Sequence, residues 1–172
     1  LLISAVGIVD DVSRCMTMDA KQPGDVLIQI GQTDDRLGGS HVASVGGFDA
    51  GGLPEVDLAA APSHMAAVAR LIADGLVRAA HDCCEGGLLV AAAEMAFAGG
   101  RGIEIDLDQT PVAGDATSLD RAFAETPSRV IVEVAPDNVD AVAEALRRAD
   151  VPFAEIGRVS ERDRLAARSR PR

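Results

Sequence analysis

The run His81-Asp82-Cys83-Cys84-Glu85-Gly86-Gly87-Leu88 gathers an imidazole, two carboxylates and two thiols just ahead of an Ala- and Leu-rich stretch. These residue types in this order suit an anion site. Glycines let a backbone approach a ligand closely, and a helix start offers unpaired N–H groups and the positive end of its dipole. His81 can donate to a phosphate oxygen, while Asp82 and Glu85 can hold a cation or a hydroxyl. The same residues also suit a plain helix start, with Asp82 or Glu85 capping the first N–H groups and Gly86 and Gly87 serving the turn. A second candidate is Leu37-Gly38-Gly39-Ser40-His41. Backbone amides at Gly38 and Gly39 and the Ser40 hydroxyl can cradle a phosphate, or they can simply make a turn. Neither the GxGxxG nor the P-loop pattern occurs there.

A third cluster, Glu125-Thr126-Pro127-Ser128-Arg129, brings a carboxylate, two hydroxyls and a guanidinium to the start of a strand. Arginine is the natural fork for phosphate or carboxylate, so Glu125, Ser128 and Arg129 are candidate ligand-facing residues. A local ion pair on a surface loop is the competing reading. His64 falls inside a helix and reads as a partly exposed structural histidine. The three cysteines are Cys15, Cys83 and Cys84, with no CxxC pair. An odd count with two adjacent members fits neither a disulfide framework nor a metal site, so reduced thiols are expected. Cys83 and Cys84 share one turn with His81, whereas nucleophile and base normally come from distant parts of a chain.

The elements that must position these residues follow from pattern. Asp25 to Gly31 is a buried strand, and Gly38 to Gly52 a loop with one short element near His41–Val45. Pro62 opens a helix to Ala73, with Met65, Val68, Ala69 and Ile72 as its buried stripe and Gly75 as its stop. A helix over Gly87–Ala98 ends at Gly99-Gly100. Gly102–Leu107 alternates as a strand, and Ser118 caps a short helix to Ala124. Arg129–Val134 is the strongest strand. Pro136–Ala149 is an amphipathic helix with Val139, Val142, Ala143 and Leu146 inside, and Phe153–Val159 is a last strand. The fold class is α/β: a mixed β-sheet packed against helices.

Composition bounds the rest. The chain of 172 residues reads as one domain over 1–160, with 161–172 as a flexible, Arg-rich tail. Leu1 to Val9 is apolar and too short to span a bilayer. It reads as a strand cut from a longer chain, making 1–20 an incoming segment from a missing upstream domain. The net charge of −11 and an aromatic content of 2% argue against nucleic acid as a partner. Hydrophobic residues at 48% supply a core built from Ala, Val, Leu and Ile. No membrane partner is expected, and the location is expected to be cytoplasmic.

The stretch His81-Asp-Cys-Cys-Glu-Gly-Gly-Leu-Leu-Val-Ala-Ala-Ala-Glu-Met-Ala-Phe-Ala-Gly-Gly100 resembles the HDxSEGGLxVAxAEMxFAGG segment of the phosphoribosylformylglycinamidine synthase family, synthetase subunit PurL. Ile3-Ser-Ala-Val-Gly-Ile-Val-Asp-Asp11 is similar to its exit strand from the preceding domain. Gly24–Gly31 and Leu37-Gly-Gly-Ser40 are similar to its strand and LGGS loop, and Phe123–Val134 to its LFSExxSRxxVEV segment. Gly157-Arg-Val159 is similar to its closing strand, so the likeness covers about residues 1–160. Two positions depart from the pattern: Cys84 replaces the usual Ser, and Pro127 stands where many members are polar.

The resemblance implies an AIR-synthetase-type C-terminal domain of an ATP- and Mg2+-dependent ligase. That ligase converts formylglycinamide ribonucleotide and glutamine-derived ammonia to the amidine through phosphoryl transfer. The principal catalytic and metal-binding residues would lie in the missing N-terminal domains, and a glutaminase subunit or domain would be a partner. The fragment alone would be inactive. Gly38, Gly39, Ser40, His81, Asp82, Glu85, Gly86, Gly87, Glu125, Ser128 and Arg129 would face the domain interface, touching nucleotide phosphates or substituting structurally for them. The alternatives are a non-catalytic scaffold or dimerisation module of this fold, or a domain of a sister ATP-dependent synthetase.

Overall fold

The structure is a computed structural model that describes residues 4–9 and 11–170. A six-stranded sheet runs through it in the order β2-β4-β1-β5-β3-β6. The strands are β1 (Val26–Ile30), β2 (Ala79–Asp82), β3 (Gly102–Asp106), β4 (Val130–Val134), β5 (Phe153–Ser160) and β6 (Leu165–Arg168). The helices are α1 (His41–Gly46), α2 (Ala61–Ala73), α3 (Gly87–Gly99), α4 (Ser118–Phe123) and α5 (Val139–Arg148). Neighbouring strands are antiparallel except β3 and β6.

Strand alternation sorts the core into two layers. Leu27, Ile131, Ile103, Ile105 and Ile156 face α3 and α4, where they meet Leu88, Ala91, Ala92, Met95 and Ala122. Val26, Ile28, Ile30, Val130, Val132 and Val134 face α2 and α5, where they meet Leu71, Val142 and Leu146. β1 is wholly buried because it lies inside the sheet with helices on both faces. The chain therefore builds its interior from branched aliphatics and alanine, as its aromatic-poor composition requires.

Four local expectations change. The α2 stripe is rotated by about one position: His64 and Leu71 are buried and Val68 is half-buried, while Met65 is 45% exposed. Helical spacing marks a period, and the sheet beneath decides its phase. Thr117 caps α4, through a reciprocal pair with Asp120. The supposed tail forms β6, running parallel to β3. Leu165 packs against the α3-side layer, Arg168 pairs with Asp106 at 2.9 Å, and the Arg170 amide donates to Asp108. The four residues of β6, Leu165-Ala-Ala-Arg168, are too few to show a strand period. Of the expected strand at Leu1–Val9, residues 1–3 lie outside the described residues. Residues 4–9 have no strand pairing, and Val6 and Ile8 are fully exposed. A strand pattern without a neighbouring strand forms no sheet.

Candidate functional site

The three sequence clusters meet at one carboxylate. Glu125 Oε1 accepts the backbone N–H of Gly86, which leads into α3, at 2.8 Å. The same oxygen accepts the N–H of His41, the first residue of α1, at 2.8 Å, and lies 3.0 Å from His41 Nδ1. Ser40 completes the α1 start: its hydroxyl donates to the Leu37 carbonyl at 2.6 Å and accepts the Ala43 N–H at 3.3 Å. Two helix starts, each short of acceptors, thus share one side chain. At one amide of each helix start the chain supplies its own carboxylate.

Electrostatics follow the geometry. Burial works to raise the Glu125 pKa, but the His41 and Gly86 amides and the His41 ring outweigh it and hold the carboxyl below its ordinary value. The hydrogen bond and charge of Glu125 raise His41 above the ordinary imidazole value.

The turn into α3 depends on its glycines. Gly86 and Gly87 have φ of 80° and 73°. A Cβ on Gly87 would come within 2.6 Å of the Ala124 carbonyl, just ahead of Glu125. The absent side chain is what lets the 124–129 loop close over the start of α3.

Arg129 corrects an expectation. It is 2% exposed and is neither a phosphate-facing fork nor part of a surface ion pair. Its Nε donates to the Thr126 carbonyl at 3.1 Å, Nη1 to Thr33 Oγ1 at 2.8 Å, and Nη2 to the Ala124 carbonyl. The guanidinium stitches its own loop to the chain after β1. Thr126 Oγ1 adds a bond from the Asp34 amide at 3.0 Å. Ser128 adopts a left-handed φ of 62°, and its carbonyl lies 3.3 Å from Nδ1 of the buried His64.

His81 is likewise engaged. On edge strand β2, its Nε2 lies 2.8 Å from Glu94 of α3 and its Nδ1 3.2 Å from Asp82. The Cys84 thiol is the main influence holding the Asp82 pKa down. Burial raises Cys84, and burial pushes Cys83 up to about 11. Neither thiol is a ready thiolate.

Two open clefts flank the Glu125 junction. One, of about 300 Å³, is lined by residues 82–85, Glu125 and 127–129. The other, of about 280 Å³, is lined by Gly38, Gly39, Ser40 and residues of the 43–51 stretch. Among the described residues no group of three or more His, Cys, Asp or Glu side chains is placed to hold a metal ion. No helix among them is long and apolar enough to cross a membrane.

Sequence reasoning found the three segments, His41 among them, and offered Glu125 either a ligand or a local ion pair; the structure gives it the His41 ring and one amide at each of two helix starts. Sequence reasoning did not single out His41 as the partner of Glu125, although its position beside the LGGS run was the available signal.

A six-stranded, mainly antiparallel sheet with helices on both faces, and glycine-bearing loops gathered at Glu125, defines an α/β domain. Residues 22–170 match the family described as AIR synthase related protein, C-terminal domain, and the chain belongs to that family. It is 39% identical over 158 residues to the phosphoribosylformylglycinamidine synthase subunit PurL of Moorella thermoacetica, a match covering 91% of this chain and 21% of that one. Its fold is similar to Thermotoga maritima PurL complexed with FGAR (TM-score 0.80, 24% identity, 92% of this chain and 28% of that one). The T. maritima complex with ATP is similar too (TM-score 0.77, 22% identity, 92% and 25%). The chain spans about a fifth of the length of the curated relatives it matches.

Proposed function

We propose that this chain is the C-terminal domain of an ATP-dependent phosphoribosylformylglycinamidine synthase of de novo purine biosynthesis. The observation that carries this reading is the 39% identity to a PurL subunit over 91% of the chain. The complete enzyme would join ammonia to formylglycinamide ribonucleotide at the expense of ATP, working in the cytoplasm with Mg2+ and a glutaminase subunit or domain. The ammonia would come from glutamine.

Within it, this domain serves as a wall. Its loops at 37–41, 81–87 and 125–129 face the upstream domains, and residues outside this chain would hold Mg2+. The junction at Glu125 supports a structural version of that role. Glu125 already takes one amide at each helix start, so the loops present a shaped surface, with Asp82, Glu85 and the Gly38–Gly39 backbone as the groups nearest an incoming ligand.

The test is turnover by the complete parent protein with formylglycinamide ribonucleotide, ATP, Mg2+ and ammonia. Amidine formation with release of ADP is the expected result. Absence of turnover by a folded parent protein overturns the assignment. The 172-residue chain alone should give no amidine above a no-protein control.

A further inference from the structure

β4 buries a carboxyl that the loops above do not use. Glu133 is wholly inaccessible, flanked in register by Leu27 on β1 and Ala79 on β2. Alternation sends it to the α3 side, among aliphatic residues, where an ionised group needs strong partners. It finds them in the segment that leads into β1. Its Oε2 accepts the Lys21 N–H at 2.9 Å, and its Oε1 accepts the Gln22 N–H at 2.9 Å. One residue earlier, the Ala20 N–H donates to the Met95 carbonyl on α3 at 3.0 Å. Lys21 and Gln22 belong to no strand, so their amides depend on this side chain.

A second buried carboxyl, Asp25, stands just before β1, two residues from Leu27, the register partner of Glu133, so strand alternation puts it on the same face as Glu133. Arg78, ahead of β2, pairs with Asp25 at 2.9 Å and so compensates one charge of the two. The surrounding charges are otherwise engaged. Lys21 Nζ turns to Asp19 and Thr17. Arg101, beyond α3, donates to the Lys21 carbonyl at 3.3 Å, and Arg158 of β5 to the Gly24 carbonyl at 3.4 Å. Glu94 of α3 is held by His81. The charge on Glu133 is met by backbone amides, and burial on the same face as another carboxyl disfavours its ionised form.

We propose that Glu133 and Asp25 form a proton-controlled latch on the segment that leads into β1. With Glu133 ionised, both of its oxygens grip the Lys21 and Gln22 amides. With Glu133 neutral, its hydroxyl donates to the Asp25 carboxylate and the grip on the amides loosens. Burial first, and then the contact with Asp25, raise Glu133 to about 7 against the lowering effect of the two amides. The latch therefore changes state in the neutral range. It sets how firmly the chain preceding β1 is fixed to the sheet.

The test is a pH titration of the 172-residue chain through the neutral region by NMR. It follows the Lys21 and Gln22 amide resonances and the Glu133 side-chain carboxyl carbon. All three are expected to titrate with one midpoint at about 7. Protection of the two amides from exchange should rise as Glu133 ionises. Glu133→Gln should abolish the amide titration. Asp25→Asn should move the Glu133 midpoint down toward the ordinary carboxyl range, and it decides the matter if Glu133→Gln does not fold. Amides that stay flat while the Glu133 carbon titrates, or an unchanged midpoint in Asp25→Asn, overturn the latch.

Discussion

Glu125 and Gly86 are 39 residues apart in sequence, yet the Glu125 carboxylate oxygen lies 2.8 Å from the Gly86 amide nitrogen. The same oxygen holds the His41 amide, 84 residues earlier in the chain. One side chain therefore fixes the relative position of α1, α3 and the loop before β4.

Glu125→Ala should destabilise the domain by about 1–3 kcal/mol, the cost of leaving partly buried donors unpaired. Glu125→Gln keeps an acceptor oxygen and should lose less. Chemical denaturation of the three proteins gives the comparison. Equal stability of Glu125→Ala and the parent chain would show that the two helix starts need no shared acceptor.

The Glu125–His41 pair gives a pH dependence of defined sign. His41 is raised, so its share of stability is full below the ordinary imidazole value and fades as pH rises through its folded value. Glu125 is lowered, so its share is full above the ordinary carboxyl value and fades as pH falls through its folded value. The pair thus contributes most in the mildly acidic window between these two ordinary values. His41→Ala should remove the alkaline-side loss, read from melting temperatures across pH against the parent chain.

Gly87→Val should cost at least about 1 kcal/mol, because φ is positive and a side chain would strike the Ala124 carbonyl. An unchanged melting temperature would show that the turn can re-form around a β-branched residue.

Arg129→Lys should destabilise nearly as much as Arg129→Met. A lysine cannot reach the Thr126 and Ala124 carbonyls and Thr33 Oγ1 together as the planar fork does. Each buried acceptor left unpaired costs about 1–3 kcal/mol. Urea midpoints of the two variants make the comparison, and full stability of the lysine variant would contradict it.

Residue pattern alone determined β1, β3, β4 and β5, the helices near 62–73, 87–98 and 136–149, and the three glycine- or charge-bearing loops. These depend on local periodicity and on turn chemistry, which neighbouring residues carry. The phase of α2 and the pairing of β6 with β3 came from the tertiary structure. So did the burial of Arg129 and the junction at Glu125. Each depends on a partner far along the chain: Leu165 on the α3-side layer, Thr33 for Arg129, and His41 and Gly86 for Glu125. A buried Arg129 and an exposed one read alike in sequence. Only the packing decides whether the groups around a charge replace the water it gives up.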